Sequence, residues 1–335
     1  MPPAFILAIE TSCDETAAAV MEDDGTVRSD VIYSQAETHK IYGGVVPEVA
    51  SRKHLDTISQ VVSAAIETAK ISFDDLGAVA VTYGPGLAGA LLAGLSYAKG
   101  LAFSIGAPLI GVHHIEGHIC ANFIPDKRPA PPFVCLVASG GHTHLVSVED
   151  HTDYRVLGKT LDDACGEAFD KAARALGLGY PGGPAIDALS ADGDPDSIKF
   201  PRAMSDGSYN FSFSGLKSAV INHLQKRETA GEKINAADVA ASFQKAVVDV
   251  LVDKSISACR ARGAKRFAMS GGVACNSALR AAATAACAAY DIEIFMPPPA
   301  LCTDNAAMIA RRALYDYERG RFDDLSLNAR PGIGL

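Results

Sequence analysis

Two histidines four residues apart, His114 and His118 in His113-His114-Ile115-Glu116-Gly117-His118, are the side chains here best placed to do chemistry together. If the stretch is helical, residues four apart lie one above the other, whereas His113 and Glu116 point elsewhere. Two imidazoles on one face are a clamp for a divalent metal, although two of nine histidines can also fall four apart by chance. The clamp needs a third ligand. The best distant candidate is Asp304, in Leu301-Cys302-Thr303-Asp304-Asn305, between the Pro297-Pro298-Pro299 break and a helical run. Taken alone, an Asp after Thr at a helix start is more often a cap. The metalloprotease signature H-E-x-x-H does not fit, since Glu116 stands two residues beyond the first histidine, about 200° around the helix.

The elements that must hold these residues come in a repeated order. Phe5 to Ile9 reads as a buried strand ending in the polar turn Glu10-Thr11-Ser12-Cys13-Asp14-Glu15; Thr16 to Met21 and Val27 to Tyr33 follow, joined by the hairpin signal Asp23-Asp24-Gly25. Pro47-Glu48 opens a helix to Lys70, with Val49, Leu55, Ile58, Val61, Val62 and Ile66 at helical spacing. Ala78 to Tyr83 reads as a strand, Leu87 to Ser104 as a helix of small residues, and Leu109 to Val112 as the strand that delivers the histidines. The second half repeats this plan: strands at Phe133 to Ala138, His144 to Val148 and Tyr154 to Leu157, a helix from Asp162 to Leu176, and a helix from Ala236 to Arg262. A strand at Arg266 to Met269, a helix at Asn276 to Ala289, a strand at Ile292 to Phe295 and a last helix at Thr303 to Arg319 complete it. This predicts a duplicated α/β fold of two similar domains around a cleft, residues 1–112 and 113–335, with a loop-rich insertion at about 180–233 and a surface coil from Asn328 to Leu335.

Three glycine turns fall at strand ends: Gly84-Pro85-Gly86, Ser139-Gly140-Gly141 and Ser270-Gly271-Gly272. Glycines there let backbone N–H groups approach an anion, and open α/β sheets gather ligands at the carboxyl ends of their strands. Neither G-x-x-x-x-G-K-[ST] nor G-x-G-x-x-G is present, which argues against a P-loop or a simple dinucleotide site. The pattern suits the nucleotide grip of the actin, Hsp70 and sugar-kinase group. Asp170 and Asp187 could accept hydrogen bonds from hydroxyls, or be solvated acids.

Composition narrows the partners. With 335 residues, 48% hydrophobic and 21% charged, the chain is an ordinary globular protein large enough for two cores. Eight cysteines without a C-x-x-C pair give a reduced, cytoplasmic pattern. Met1-Pro2-Pro3 offers no basic signal region, and the apolar stretch from Gly84 to Val112 reads as strand, helix and strand. A net charge of −9 means that any RNA must meet a local basic patch or a partner subunit. Arg260, Arg262, Lys265 and Arg266 form one basic cluster, which also suits a solvated helix end.

As a set the motifs resemble the bacterial TsaD family, the tRNA N6-adenosine threonylcarbamoyltransferases formerly labelled O-sialoglycoprotein endopeptidases. They are Ile9-Glu10-Thr11-Ser12-Cys13-Asp14-Glu15-Thr16, Gly43-Gly44-Val45-Val46-Pro47-Glu48, the histidine stretch, Ser139-Gly140-Gly141-His142-Thr143, Glu167-Ala168-Phe169-Asp170-Lys171, Tyr180-Pro181-Gly182-Gly183-Pro184, Phe211-Ser212-Phe213-Ser214-Gly215-Leu216-Lys217 and Cys302-Thr303-Asp304-Asn305. The resemblance implies an actin-like ATPase (ribonuclease H-like) fold. It also implies transfer of threonylcarbamoyl from threonylcarbamoyl-AMP to N6 of adenosine 37 in tRNAs reading codons that begin with adenine. By motif, the metal ligands are His114, His118 and Asp304 around Fe(2+), with Zn(2+) as the alternative ion. The adenylate falls to Val137, Ala138, Ser139, Gly140, Gly141, Asp170, Gly183, Asp187 and Asn276, and Asp14 and Glu15 become a further acidic, catalytic element. A TsaB-like actin-fold paralogue and a TsaE-like small ATPase are the implied partners. Cys165 stands where a small Ala is common, a change between small apolar residues. The competing readings are a metalloendopeptidase and an actin-like kinase or ATPase.

Overall fold

The structure, a computed structural model, describes residues 5–204 and 206–335. It comprises two compact units, residues 1–128 with 151–153 and 300–335, and residues 129–150 with 154–299.

The first unit contains β1 (Phe5–Glu10), β2 (Glu15–Glu22), β3 (Val27–Ser34), α1 (Ala36–Lys40), α2 (Pro47–Ala69), β4 (Leu76–Gly84), α3 (Ala88–Ile105), β5 (Leu109–His113) and α4 (His114–Cys120). The second contains β6 (Phe133–Ala138), β7 (Thr143–Asp150), β8 (Asp153–Lys159), α5 (Cys165–Ala175), α6 (Gly182–Ser190), α7 (Ser214–Thr229), α8 (Ala236–Arg262), β9 (Arg266–Ser270), α9 (Ser277–Ala289) and β10 (Glu293–Phe295). After these come α10 (Pro299–Cys302) and α11 (Ala306–Glu318), and α11 packs on α4 and β1 of the first unit. The units therefore differ from the expected division at 112/113: the histidine stretch and the last helix both belong to the first.

The duplication is visible in the sheets. The first runs β3-β2-β1-β4-β5 and the second β8-β7-β6-β9-β10, the same order in sequence rank. β1 pairs antiparallel with β2 and parallel with β4, and β6 likewise with β7 and β9. The strands read as unbroken apolar runs because both faces of the first sheet are covered. Side chains alternate along β1: Ile6 and Ala8 join Ala17, Ala19, Ala78 and α11 on one face, while Leu7 and Ile9 join Ala18, Val79 and the helices α2 and α3 on the other. Helix α3, apolar and long enough to cross a bilayer by length and composition alone, lies against α2 and β4 in this arrangement.

Two expectations need correction. The stretch at 180–233 is not simply looped, since it contains α6 and α7. The final residues are more than a surface coil: Arg330 N–H donates to the Tyr83 carbonyl (2.8 Å) and Gly86 N–H to that of Pro331 (3.1 Å). A Cβ at Gly84 would lie 2.1 Å from the Arg330 carbonyl oxygen, and one at Gly86 2.6 Å from that of Ser12. The glycines of this turn therefore serve close backbone packing, which removes it from the set of anion cradles.

Candidate metal centre and nucleotide pocket

β5 ends at His113, whose Nδ1 accepts the Ile115 N–H (3.2 Å) and so caps α4. The next turn puts His114 and His118 on one buried face, their ring centroids 4.7 Å apart. Gly117 lets α4 lie against α11, since a Cβ there would come within 2.6 Å of Ile309 Cδ1. At the start of α11 the cap is Asn305, whose Oδ1 accepts the Met308 N–H (2.9 Å). Asp304 is thus not the cap. Its Oδ1 lies 3.1 Å from His118 Nε2 and 3.6 Å from His114 Nε2.

One donor atom from each of these three residues lies within 4.8 Å of the others. Ligands about 2.1 Å from a tetrahedral ion sit about 3.4 Å apart, so the trio suits one cation. His118 adds a sharper sign: neither of its fully buried ring nitrogens makes an aligned hydrogen bond, even with Asp304 so close. Burial, acting before its neighbours' opposing charges, lowers the His118 pKa and keeps the imidazole neutral, as a metal ligand must be. His114 differs. Burial alone would lower its pKa, but the Asp304 and Glu10 carboxylates hold it up at about 9, so an ion bound there would have to displace a proton.

Glu10 is the residue that sequence reasoning missed. Fully buried at the end of β1, it faces His114 Nδ1 at 3.0 Å. Asp14 lies in the turn that follows and Glu15 opens β2, where it accepts the Ser34 hydroxyl (3.1 Å). Burial first, then the charges of Asp14 and Asp304, push the Glu15 carboxyl well above its ordinary range. Glu116 points away from the trio into an ion pair with Arg312 Nε on α11 (2.5 Å), which fixes α4 to the helix that begins just after Asp304.

The residues expected to hold the adenylate all lie in the second unit. Val137 and Ala138 end β6, and the Ser139 N–H donates to the His142 carbonyl (2.8 Å), which shapes the turn. A Cβ at Gly140, Gly141 or Gly183 would meet nothing within 4 Å, whereas one at Gly271 would lie 2.3 Å from the Ala138 carbonyl oxygen. Of the three glycine turns, then, only Ser139-Gly140-Gly141 stands open. Asp170 accepts the Gly182 N–H at the start of α6 (2.7 Å), and Asp187 accepts both the N–H and the hydroxyl of Ser277 (3.0 and 2.7 Å). Asn276 caps α9 and donates to Gln244 (2.6 Å). A cavity of about 420 Å³, lined by Asp187, Gln244, Lys245, Asp249 and Ser277 among others, opens beside them. The basic cluster is engaged within its own unit: Arg260 over the Tyr290 ring, Arg262 on Glu149, Lys265 on Asp291 and Arg266 on the Ala130 carbonyl.

Half-buried His144, on β7 beyond the glycine turn, has its pKa lowered from 6.5 to about 4, by burial and then by Lys159. Between those values the unfolded chain binds a proton that the folded chain does not, so stability falls as pH falls through the window. Urea unfolding at pH 7.5 and pH 5 should show a loss of at most about 2 kcal/mol from this site, and His144→Leu should flatten that slope. Equal slopes for both proteins would remove His144 as its source.

Fold and site together define a duplicated α/β protein with a two-histidine, one-carboxylate trio suited to a metal ion. A family model described as TsaD, tRNA N6-adenosine threonylcarbamoyltransferase, matches residues 26–311. A tRNA N6-adenosine threonylcarbamoyltransferase of Clostridium botulinum is 59% identical over 331 residues, 98% of this chain and 97% of the relative. The chain belongs to this transferase family. Solved structures support the fold alone. The Acidaminococcus fermentans (R)-2-hydroxyglutaryl-CoA dehydratase component A aligns with a TM-score of 0.55 at 18% identity, over 94% of this chain and 98% of that one. Full-length HypF in a phosphate- and nucleotide-bound form aligns with a TM-score of 0.64 at 13% identity, over 96% of this chain and 56% of that one.

Proposed function

We propose that this chain acts in the cytoplasm, transferring the threonylcarbamoyl group from threonylcarbamoyl-AMP to N6 of adenosine 37 in tRNAs reading codons that begin with adenine. The observation that carries this is the convergence of His114, His118 and Asp304 in a chain that matches the transferase family over nearly its whole length. In the reaction the N6–C bond forms, the bond from the carbamoyl carbon to the phosphate oxygen breaks, and AMP leaves with its electron pair. A divalent ion held by the three ligands, Fe(2+) by family resemblance, supplies Lewis acidity and charge neutralisation when bound.

The chain's own groups do the rest. The open Ser139-Gly140-Gly141 turn offers backbone N–H groups to the phosphate, and Asp170 and Gly183 shape the start of α6 beside it. Asp187, which lines the cavity between α6, α8 and α9, and Asn276, bonded to Gln244 of its lining, orient the nucleoside. Asp14 and Glu15 take up the amine proton in this reading, and the raised pKa that burial gives Glu15 suits it to that task. The net charge of −9 and the engaged arginines leave most of the tRNA contact to partners, a TsaB-like paralogue and a TsaE-like ATPase. Against an endopeptidase, the only acid between the histidines is paired with Arg312.

The test is nucleoside mass spectrometry of tRNA after depletion of the protein. N6-threonylcarbamoyladenosine should fall and unmodified adenosine rise at the same position, with recovery on re-expression. Unchanged nucleosides alongside phosphorylation of a small substrate would favour the kinase reading.

A further inference from the structure

The buried carboxylate of Glu10 has no part in the reading above, and its surroundings are unusual. It is fully buried, and among the described residues no lysine or arginine forms an ion pair with it; the only cationic partner is His114. Three contacts from separate segments fix it. Oε2 accepts from His114 Nδ1 (3.0 Å) and from the Thr82 hydroxyl on β4 (2.6 Å), and Oε1 accepts the Ser12 N–H (2.5 Å). An ionised carboxylate only accepts, so the proton on the ring between them belongs on Nδ1. Nε2 then presents its lone pair on the side of Asp304.

We infer that Glu10 is a positioning residue for the metal centre: it fixes the tautomer and ring orientation of His114 and supplies a second negative charge beside the ion. With neutral imidazoles, Asp304 and Glu10 together balance a dication, which is the chemistry that favours a divalent over a monovalent cation in a dry site. Ser12 Oγ, 3.1 Å from the same Nδ1, is the competing acceptor, but a hydroxyl carries no charge and accepts more weakly.

The inference rests on the metal-site reading, and Co2+ titration of the purified full chain separates the two. Wild type should bind Co2+ with ligand-field bands in the visible. Glu10→Gln, close in volume, should bind 10- to 100-fold more weakly with shifted bands. Its metal-free form should give the wild-type circular dichroism spectrum, so that the weaker binding is read on a folded chain. Ser12→Ala should stay within about threefold of wild type, a neutral acceptor being the weaker partner. A wild type that binds no Co2+ overturns the metal site itself. If wild type binds and Glu10→Gln binds within about twofold, only the positioning role falls. A Glu10→Gln protein that is unfolded by circular dichroism also overturns it, making Glu10 a packing residue.

Discussion

His118→Leu should leave a folded protein that retains no stoichiometric metal and makes almost no modified nucleoside. Leu fills most of the imidazole's volume and introduces no polar group, so the fully buried site loses a ligand without gaining an unsatisfied one. The stability change should stay within about 1.5 kcal/mol, since the ring nitrogens make no aligned hydrogen bond that the substitution could break. Two ligands remain from three. Changes outside the ligand set already cost 10- to 100-fold in metal affinity or activity, so loss of a direct ligand should cost at least about 100-fold in both. Metal analysis after gel filtration, circular dichroism and nucleoside mass spectrometry of tRNA incubated with the variant give the three readouts. Wild-type metal content in a folded His118→Leu protein would take His118 out of the ligand set.

What could be read from the sequence follows the range of the forces involved. The His114/His118 pairing depends only on helical geometry over one turn, and α4 reproduces it. The repeated order of elements along the chain was legible because strands covered on both faces leave continuous apolar runs, as in β1 and β6. Glu10 was not legible, because its meaning lies in a partner 104 residues away; the available signal was a carboxylate closing a wholly apolar strand. Helix α7 escaped for a related reason. Its start is tied down by Asp162, which accepts from the Ser212 and Ser214 hydroxyls and from the Phe213 and Ser214 N–H groups about fifty residues along the chain. A helix tied at its N-terminus by a distant residue carries no local start signal. The division of the chain was hidden in the same way, since α11 joins the first sheet after the whole second unit has intervened.

Gly271→Ala and Gly140→Ala should fail in opposite ways, although both glycines look alike in the sequence. Gly271 has φ +89° and ψ 158°, a conformation essentially reserved for glycine, and its added Cβ would press on the Ala138 carbonyl, which is backbone and cannot swing aside. Strain and clash together should cost on the order of 4 kcal/mol and about 10 °C of melting temperature in a unit of this size. Because β6 and β9 pair at Val137 and Ser270, the damage should also reach the neighbouring Ser139 turn. Gly140 has open space where its Cβ would go and is not among the glycines with positive φ. Gly140→Ala should therefore melt within about 2 °C of wild type, the usual range for a surface change. If that turn meets the substrate's phosphate, its transfer activity should nonetheless fall by at least about tenfold through a raised KM for the adenylate, the loss that follows when ground-state binding is weakened. Comparing calorimetric melting with steady-state kinetics for the two variants separates packing from ligand approach. A Gly140→Ala enzyme with unchanged KM would remove the Ser139-Gly140-Gly141 turn from the nucleotide site, and a Gly271→Ala protein as stable as wild type would refute the packing assigned to β9.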